Sequence, residues 1–353
     1  MRAIDRRMFG LATAAAVAAG TLAKAAATAT PEPVDEGLFV PINGMDHWIT
    51  LRGHDRRNPV ILFLHGGPGL ASTGNAPVFA SWEQDFTVVQ WDQPGGGATF
   101  AKNMAADQGP YTQARYLADA VAVAEWTRRR LGRRKLIIMG ASWGTQLGAL
   151  LVAARPDLAA AFVGAGFAVS RRRGDQIGYD LALERARARG DTVAVAGLEK
   201  VGPPPYRTVD EWFVRQQHTN PPGQPMAPAE VAATAEAARL TRAVDPAQAT
   251  WIAKGLPDFN VFGQFLAVQR ATYADTRDYE APLRFKAPLF IIQGSEDLNT
   301  PTPLAKAYLE QVKAPAKAYL EIAGGGHNIT IFHREILAFL TAEVRPAALA
   351  RGA

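Results

Sequence analysis

The sequence has no cysteine at any of its 353 positions. That excludes disulfides, thiolate metal sites, a cysteine nucleophile and a lipidated cysteine. Histidine is scarce, with six residues, so an imidazole base must be His47, His54, His65, His218, His327 or His333. There is little excess charge of either sign: 38 basic against 33 acidic residues leave +5. Residues 1–29 hold Arg2, Arg6, Arg7 and Lys24 against Asp5, so only +2 remains for the rest of the chain. An excess that small gives no footing for a nucleic-acid partner. With 48% hydrophobic and 20% charged residues, the chain can still bury a sizeable core, as a soluble globular protein does.

Long membrane-spanning runs are also lacking. Arg6-Arg7-Met8-Phe9 precedes a small apolar run from Gly10 to Gly20, with small residues at Ala23-Lys24-Ala25 and Ala27-Thr28-Ala29 for cleavage. The paired arginines are similar to a twin-arginine export signal, with Asp5 where that consensus has Ser or Thr. A spanning helix needs about 20 apolar residues, so this run is too short to anchor the chain. The expectation is a signal peptide over 1–29, a periplasmic or secreted protein, and no stable membrane insertion once the signal is removed. Pro31-Glu32-Pro33 then reads as part of a linker over 30–36.

What is present is a series of apolar strands, each ending in a glycine-rich loop. Leu38-Phe39-Val40 and Trp48-Ile49-Thr50-Leu51 flank Asn43-Gly44, a hairpin signal. Pro59–Leu64 is continuously apolar, as in a strand buried on both faces, and runs into His65-Gly66-Gly67-Pro68-Gly69. Phe86–Trp91 ends in Asp92-Gln93-Pro94-Gly95-Gly96-Gly97. Residues 112–131 carry apolar positions at helical spacing, with Gly132 as the stop. Leu136-Ile137-Ile138-Met139 leads into Gly140-Ala141-Ser142-Trp143-Gly144 and then a helix-like run. Residues 136–154 are apolar enough to mimic a membrane span, but their central glycines fit a strand, a turn and a helix better. Further on, Ala287–Gln293 ends in Gly294-Ser295-Glu296-Asp297, and Ala318–Ile322 ends in Gly324-Gly325-Gly326-His327. A helix follows each, the last over about 331–343.

Strands alternating with helices predict an α/β protein with a mostly parallel, doubly wound sheet and its chemistry at the carboxyl ends of the strands. The core would occupy 37–167 and 286–345, with a tail over 346–353. Residues 168–285 lack strand signals and read as a helical cap. Arg171-Arg172-Arg173 reads there as a solvated helix face. Trp212, Phe213, Trp251, Phe259, Phe262 and Phe265 are candidates to line a pocket beneath it.

Gly-x-Ser-x-Gly between a strand and a helix places a serine on a sharp turn. A serine hydroxyl is a weak nucleophile and needs a base, and the base needs an acid to fix its tautomer. Ser142, Asp297 and His327 stand in the order Ser, acid, His, each just beyond a strand, so the sheet would bring them to one edge. Glu296 is the adjacent rival to Asp297, and reads as a solvated loop carboxylate. The tetrahedral intermediate also needs backbone N–H donors. Trp143 N–H is one candidate, and Gly67, with Gly66 as the next choice, offers the other. His65 reads as a brace for its loop.

These motifs, in kind and order, resemble the prolyl iminopeptidase-like branch of the α/β-hydrolase superfamily over most of residues 37–343. The pairing of His65-Gly66-Gly67-Pro68-Gly69 with Trp143 after the serine is characteristic of it. The resemblance implies an α/β-hydrolase fold, a serine triad without metal or cofactor, and release of N-terminal proline from small peptides. Two places differ. Where the family usually has Arg-Gly-x-Gly-x-Ser, this chain has Pro94-Gly95-Gly96-Gly97-Ala98-Thr99. The cap offers Asp210-Glu211-Trp212-Phe213 in place of the Trp-Glu motif whose glutamate grips the substrate's amino terminus. The expected function is therefore an exported prolyl aminopeptidase working through an acyl-enzyme. A small-molecule carboxylesterase or amidase and a non-catalytic binding module are the alternatives.

Overall fold

Asn43 and Gly44 turn the first hairpin with φ of 49° and 82°, the left-handed values that a two-residue turn of this kind requires. On either side β1 (Val34–Ile42) and β2 (Met45–Gly53) pair antiparallel, Ile42 opposite Met45. The structure, a computed structural model, describes residues 30–104, 108–219, 226–242 and 261–353, with side chains in the last stretch from Gln264 onward. The expected signal over 1–29 lies outside the described residues, as do Trp251, Phe259 and the side chain of Phe262. Pro33–Ala353 forms one compact unit, and of the residues before it 30–32 are described, without regular structure.

Among the described residues the remaining strands are β3 (Val60–Leu64), β4 (Thr87–Trp91), β5 (Leu136–Ala141), β6 (Ala159–Ala165), β7 (Leu289–Gly294) and β8 (Lys317–Ile322). They form one sheet in the order β1-β2-β4-β3-β5-β6-β7-β8. The β1–β2 and β2–β4 pairs are antiparallel and all others parallel. This is the α/β-hydrolase fold. The chain leaves β3 toward β4 and then returns to the other side of β3 for β5. That reversal opens a crevice between the carboxyl ends of β3 and β5, where α/β sheets place their ligands.

Period-two alternation divides the core. Leu62, Leu64 and Ile138 pack on one face with Tyr116, Leu147 and Tyr308, while Ile61, Phe63, Ile137 and Met139 pack on the other with Trp82, Ile336 and Leu340. The first face is covered by α1 (Gln113–Arg130), α2 (Trp143–Ala154) and α8 (Thr302–Gln311), the second by α9 (His333–Phe339) and the turns beside it. Each such aliphatic side chain, fully withdrawn from water, contributes about 1.5–3 kcal/mol. No helix among the described residues is long and apolar enough to cross a membrane. The apolar stretch 136–154 is instead β5, a turn and α2.

Between β6 and β7 lie α3 (Arg171–Ala188), α4 (Thr192–Val201), α5 (Val209–Thr219), α6 (Pro228–Thr241) and α7 (Val261–Thr276). This is the helical insertion. Three expected boundaries shift. The linker 30–36 ends early, because Val34 is buried and already paired with Gly53 in β1. The core resumes before 286, since Tyr279, Ala281 and Phe285 pack in its first face. The tail 346–353 is not loose: α10 (Arg345–Leu349) buries Ala348 against the second face. The final helix likewise begins at His333 and passes through a wider turn at Leu340–Val344.

Candidate active site

Ser142 has φ 51° and ψ −118°, a backbone conformation that non-glycine residues rarely adopt and that needs support from its surroundings. The flanking glycines supply it by leaving space. A Cβ on Gly140 would lie 2.1 Å from the carbonyl oxygen of Gly144, and one on Gly144 would lie 1.9 Å from that of Leu64. Strand β5, the turn and α2 can therefore close on β3 only with glycine at both positions. The turn raises the serine to the rim of the crevice.

His327, in the loop after β8, reaches that rim. Its Nε2 accepts from Ser142 Oγ at 2.8 Å, and its Nδ1 donates to Asp297 Oδ2 at 2.9 Å. Asp297, after β7, is 2% exposed. Other donors hold its carboxylate in place: Asn299 and Thr300 N–H to Oδ1 at 2.8 and 2.9 Å, and Thr300 Oγ1 and Gln293 Nε2 to Oδ2 at 2.7 and 3.0 Å. Gly166, at φ 62°, passes beside the imidazole, 3.5 Å separating the position of a Cβ there from His327 Cε1. Burial pushes the Asp297 carboxyl upward, but the charge and hydrogen bond of His327 and the bonds from Thr300 hold it below its ordinary 3.8. Burial likewise disfavours charged His327, yet Asp297 raises it above 6.5. The expected acid, base and hydroxyl thus form one hydrogen-bonded chain with a fixed tautomer.

The other candidates stand elsewhere. His47 is buried behind Trp91, whose indole N–H donates to its Nδ1 at 3.0 Å, and burial drives it down to about 4. His54 follows β2, with its backbone N–H donating to the Glu83 carbonyl at 2.8 Å. His333 packs beneath Trp82, and His218 lies against Gly197. Glu296 faces solvent and pairs with Arg185 at 3.0 Å. His65 braces its loop: Nδ1 donates to the Gly66 carbonyl at 2.7 Å, and Nε2 accepts from Gln93 N–H at 3.0 Å. Burial lowers the His65 imidazole and keeps it suited to that neutral tautomer.

Gly67 lines the cavity above Ser142 and Gly66 a smaller hollow beside it, and a Cβ on Gly66 would lie 3.3 Å from Ser142 Cβ. The loop backbone therefore runs directly past the hydroxyl. Trp143 opens α2, so its N–H has no intrahelical acceptor. One residue that sequence reasoning passes over ties the two sides together. Gln93 accepts from Trp143 Nε1 at 3.0 Å and donates from Nε2 to the His65 carbonyl at 3.1 Å. Its own loop is tightly wedged. A Cβ on Gly95 would lie 2.5 Å from Val268 of α7, on Gly96 1.9 Å from the Leu70 carbonyl oxygen, and on Gly97 2.2 Å from Asp92 Oδ2.

A cavity of about 290 Å³ opens above Ser142, Trp143 and His327. Trp212, Phe213 and Phe265, three of the expected aromatic residues, line it beneath the insertion. Its polar wall is not expected from the sequence. Arg171 and Asp175 of α3 face it, so the expected solvated face of Arg171-Arg172-Arg173 holds for Arg172 and Arg173 but not for Arg171. Asp175 accepts from Arg215 Nη2 at 2.8 Å, Trp212 Nε1 at 2.9 Å and Arg171 Nε at 3.2 Å. The Asp at four residues past Arg171 is the one available clue, since that spacing puts both on one helix face.

Comparison with known proteins agrees with this architecture. Residues 59–189 match the family described as alpha/beta hydrolase fold. A probable aminopeptidase, YbaC, of Bacillus subtilis (strain 168) is 24% identical over 292 residues, covering 81% of this chain and 89% of that protein. A proline iminopeptidase-related protein of Thermus thermophilus has a TM-score of 0.58 at 16% identity, over 89% of this chain and 99% of the other. The proline iminopeptidase of Mycobacterium smegmatis has 0.53 at 18% identity, over 89% and 99%. At those identities the structural likeness speaks for the fold.

Proposed function

The chain is an α/β-hydrolase similar to the prolyl iminopeptidase-like branch, and from that premise we propose that it is a serine hydrolase working through an acyl-enzyme. The observation that carries the reading is the unbroken chain from Ser142 Oγ through His327 to buried Asp297. Ser142 attacks the substrate carbonyl as His327 Nε2 takes its proton, and Asp297 stabilises the imidazolium. The N–H groups of Trp143 and Gly67, or Gly66 in place of Gly67, hold the oxyanion. His327 then protonates the leaving amine or alcohol, and water, deprotonated by the same ring, releases the acyl group from Ser142. A non-catalytic binding role would leave this connected set without a use.

Two substrate readings have separate support. Release of N-terminal proline is supported by the similarity to a probable aminopeptidase and by the shared motifs. Hydrolysis of small esters or amides is favoured by the cavity wall. Asp175 is the carboxylate among the described residues lining the cavity, and its bonds to Arg171, Arg215 and Trp212 leave it poorly placed to take a substrate ammonium. The twin-arginine-like start supports export, which sequencing the mature N-terminus would test, a secreted form still beginning at Met1 arguing against cleavage.

The decisive experiment is covalent labelling by a fluorophosphonate, followed by comparison of a proline arylamide with p-nitrophenyl esters of varied chain length. Labelling should vanish in Ser142→Ala, and labelling that persists there would remove Ser142 as the nucleophile. Turnover of the esters without release of N-terminal proline would reject the peptidase reading and leave the hydrolase reading standing.

A further inference from the structure

We propose that the substrate of this site carries a carboxylate, and that Arg171 is the residue that binds it. The inference rests on the serine-hydrolase reading and adds a substrate class to it. Its starting point is an imbalance in the cavity wall. Two guanidinium groups, Arg171 and Arg215, share one carboxylate, Asp175. The Arg215 side chain is 0% exposed and that of Asp175 6%, so this pair is taken up by each other within the protein. Arg171 reaches the same carboxylate at the longer distance of 3.2 Å and is 26% exposed, beside the cavity that it lines. A guanidinium keeps its charge at any working pH, so the surplus cannot be relieved by losing a proton.

The neighbouring charges do not cancel it. Arg172 pairs with Asp278, and Arg173 with Glu280, which also accepts from Ser170. Donors are in surplus as well as charge. Arg171 Nη2 and Arg215 Nε are buried without a hydrogen-bond partner among the described residues. Unpaired buried donors are costly and mark the excess of donors over acceptors in this wall, of which the exposed part of Arg171 is what an oxygen-rich anion in the cavity meets. Arg171 is also the first residue of an 18-residue helix, whose amino-terminal end adds positive potential on the same side of the cavity.

The side chain is held for recognition. Its guanidinium carbon lies 4.4 Å from the ring centre of Trp212 and 5.5 Å from that of Tyr273. Stacked between aromatic faces and tethered through Nε, it loses little freedom when it binds a ligand. Phe213, Phe265 and Leu304 give the cavity apolar walls, with the uncharged amides of Gln146, Gln216 and Gln269 between them. A short apolar body with one carboxylate, joined to the reacting ester or amide carbonyl, fits that combination. A substrate bearing a free ammonium does not.

The test uses the full-length enzyme and two matched pairs of esters. The mono-p-nitrophenyl ester of glutaric acid is compared with p-nitrophenyl valerate, which puts the charge on the acyl side. The butyrate ester of 4-hydroxybenzoate is compared with phenyl butyrate, which puts it on the leaving group. The expected result is kcat/KM about 10- to 100-fold higher for the anionic member of at least one pair, the range of a charge-assisted contact. Arg171→Met keeps the stem against Trp212 and should erase that preference through KM, the anionic-to-neutral ratio of kcat/KM falling to about one whatever happens to the neutral ester; Arg171→Lys should retain part of it. In the unaltered enzyme, glutarate should compete with the neutral ester and glutaramide should not, a measurement independent of how the variants fold. No anion preference in either pair, or a preference that survives Arg171→Met, overturns the proposal. Neutral-ester turnover that depends on Ser142 would in that case leave the hydrolase reading intact, whereas its absence would count against that reading itself.

Discussion

The indole N–H of Trp143 donates to Gln93 Oε1 at 3.0 Å, and the same Gln93 side chain donates to the His65 carbonyl at 3.1 Å. The residue after Ser142 and the loop opposite it are therefore gauged against one another by a single amide. Gln93→Leu should leave a buried indole donor and a buried carbonyl unpaired, at about 1–3 kcal/mol for each. The expected outcome is a lower melting temperature and a fall in kcat larger than any change in KM. Gln93→Glu keeps the acceptor for Trp143 and should fall between.

Gly144→Ala tests the turn itself. Its methyl group would lie 1.9 Å from the Leu64 carbonyl oxygen, with rigid backbone on both sides. Overpacking of this kind costs about 1–3 kcal/mol or more. A displacement of the serine by about 1 Å can cost 100-fold in rate, so fluorophosphonate labelling should slow by about that factor even in the folded fraction. Thermal melting alongside labelling separates the two effects.

Asp297→Asn keeps an oxygen for the Asn299 and Thr300 N–H donors, and its NH2 can donate to the Thr300 hydroxyl, so the fold should be retained with some loss of stability where that NH2 meets the Gln293 amide donor. It removes the charge that stabilises the imidazolium and favours the wrong tautomer of His327. The expected loss is about 10⁴-fold in kcat, with substrate affinity little changed. Steady-state kinetics on a neutral ester would measure it.

The pH dependence has a defined sign. In the proposed mechanism His327 must be neutral to accept the serine proton, and Asp297 raises it above 6.5 against the opposing effect of burial. The acid limb of kcat/KM should therefore have its midpoint above 6.5, and should move to lower pH in Asp297→Asn. Stability follows the other sense. A raised His327 stabilises the folded state below its unfolded value and loses that contribution as pH rises through the folded one. Asp297, held below 3.8, contributes above that value and is lost on further acidification. Between 3.8 and 6.5 the pair should keep its contribution to stability while activity falls with falling pH, which thermal melting beside an activity profile would check.

Much of this site is legible in the sequence because its signals are local. Val60–Leu64 and Leu136–Ala141 are buried on both faces, so they read as unbroken apolar runs, and the loops after them are marked by glycine. The parts that escape depend on distant partners. Val34, Asp35 and Glu36 form an edge strand with two charged side chains, which looks like linker when read beside Pro31 and Pro33. Ala348 buries too little surface to announce a packed helix at the end of the chain. Arg171 cannot be told from Arg172 and Arg173, since its inward turn is set by Trp212, Arg215 and Tyr273, between about 40 and 100 residues further along the chain.

The wedged loop from Pro94 to Gly97 constrains the order in which this active site could be altered. Position 96 is free in the family pattern, but here any side chain would strike the Leu70 carbonyl oxygen, and one at 95 would strike Val268 of the insertion. A side chain introduced at either position alone would therefore fail, blocked by a neighbour still in its present place. A route exists only if the segment around Leu70 and the helix bearing Val268 give way first. Anyone re-engineering the specificity of this enzyme should begin at those two contacts and leave the loop until last.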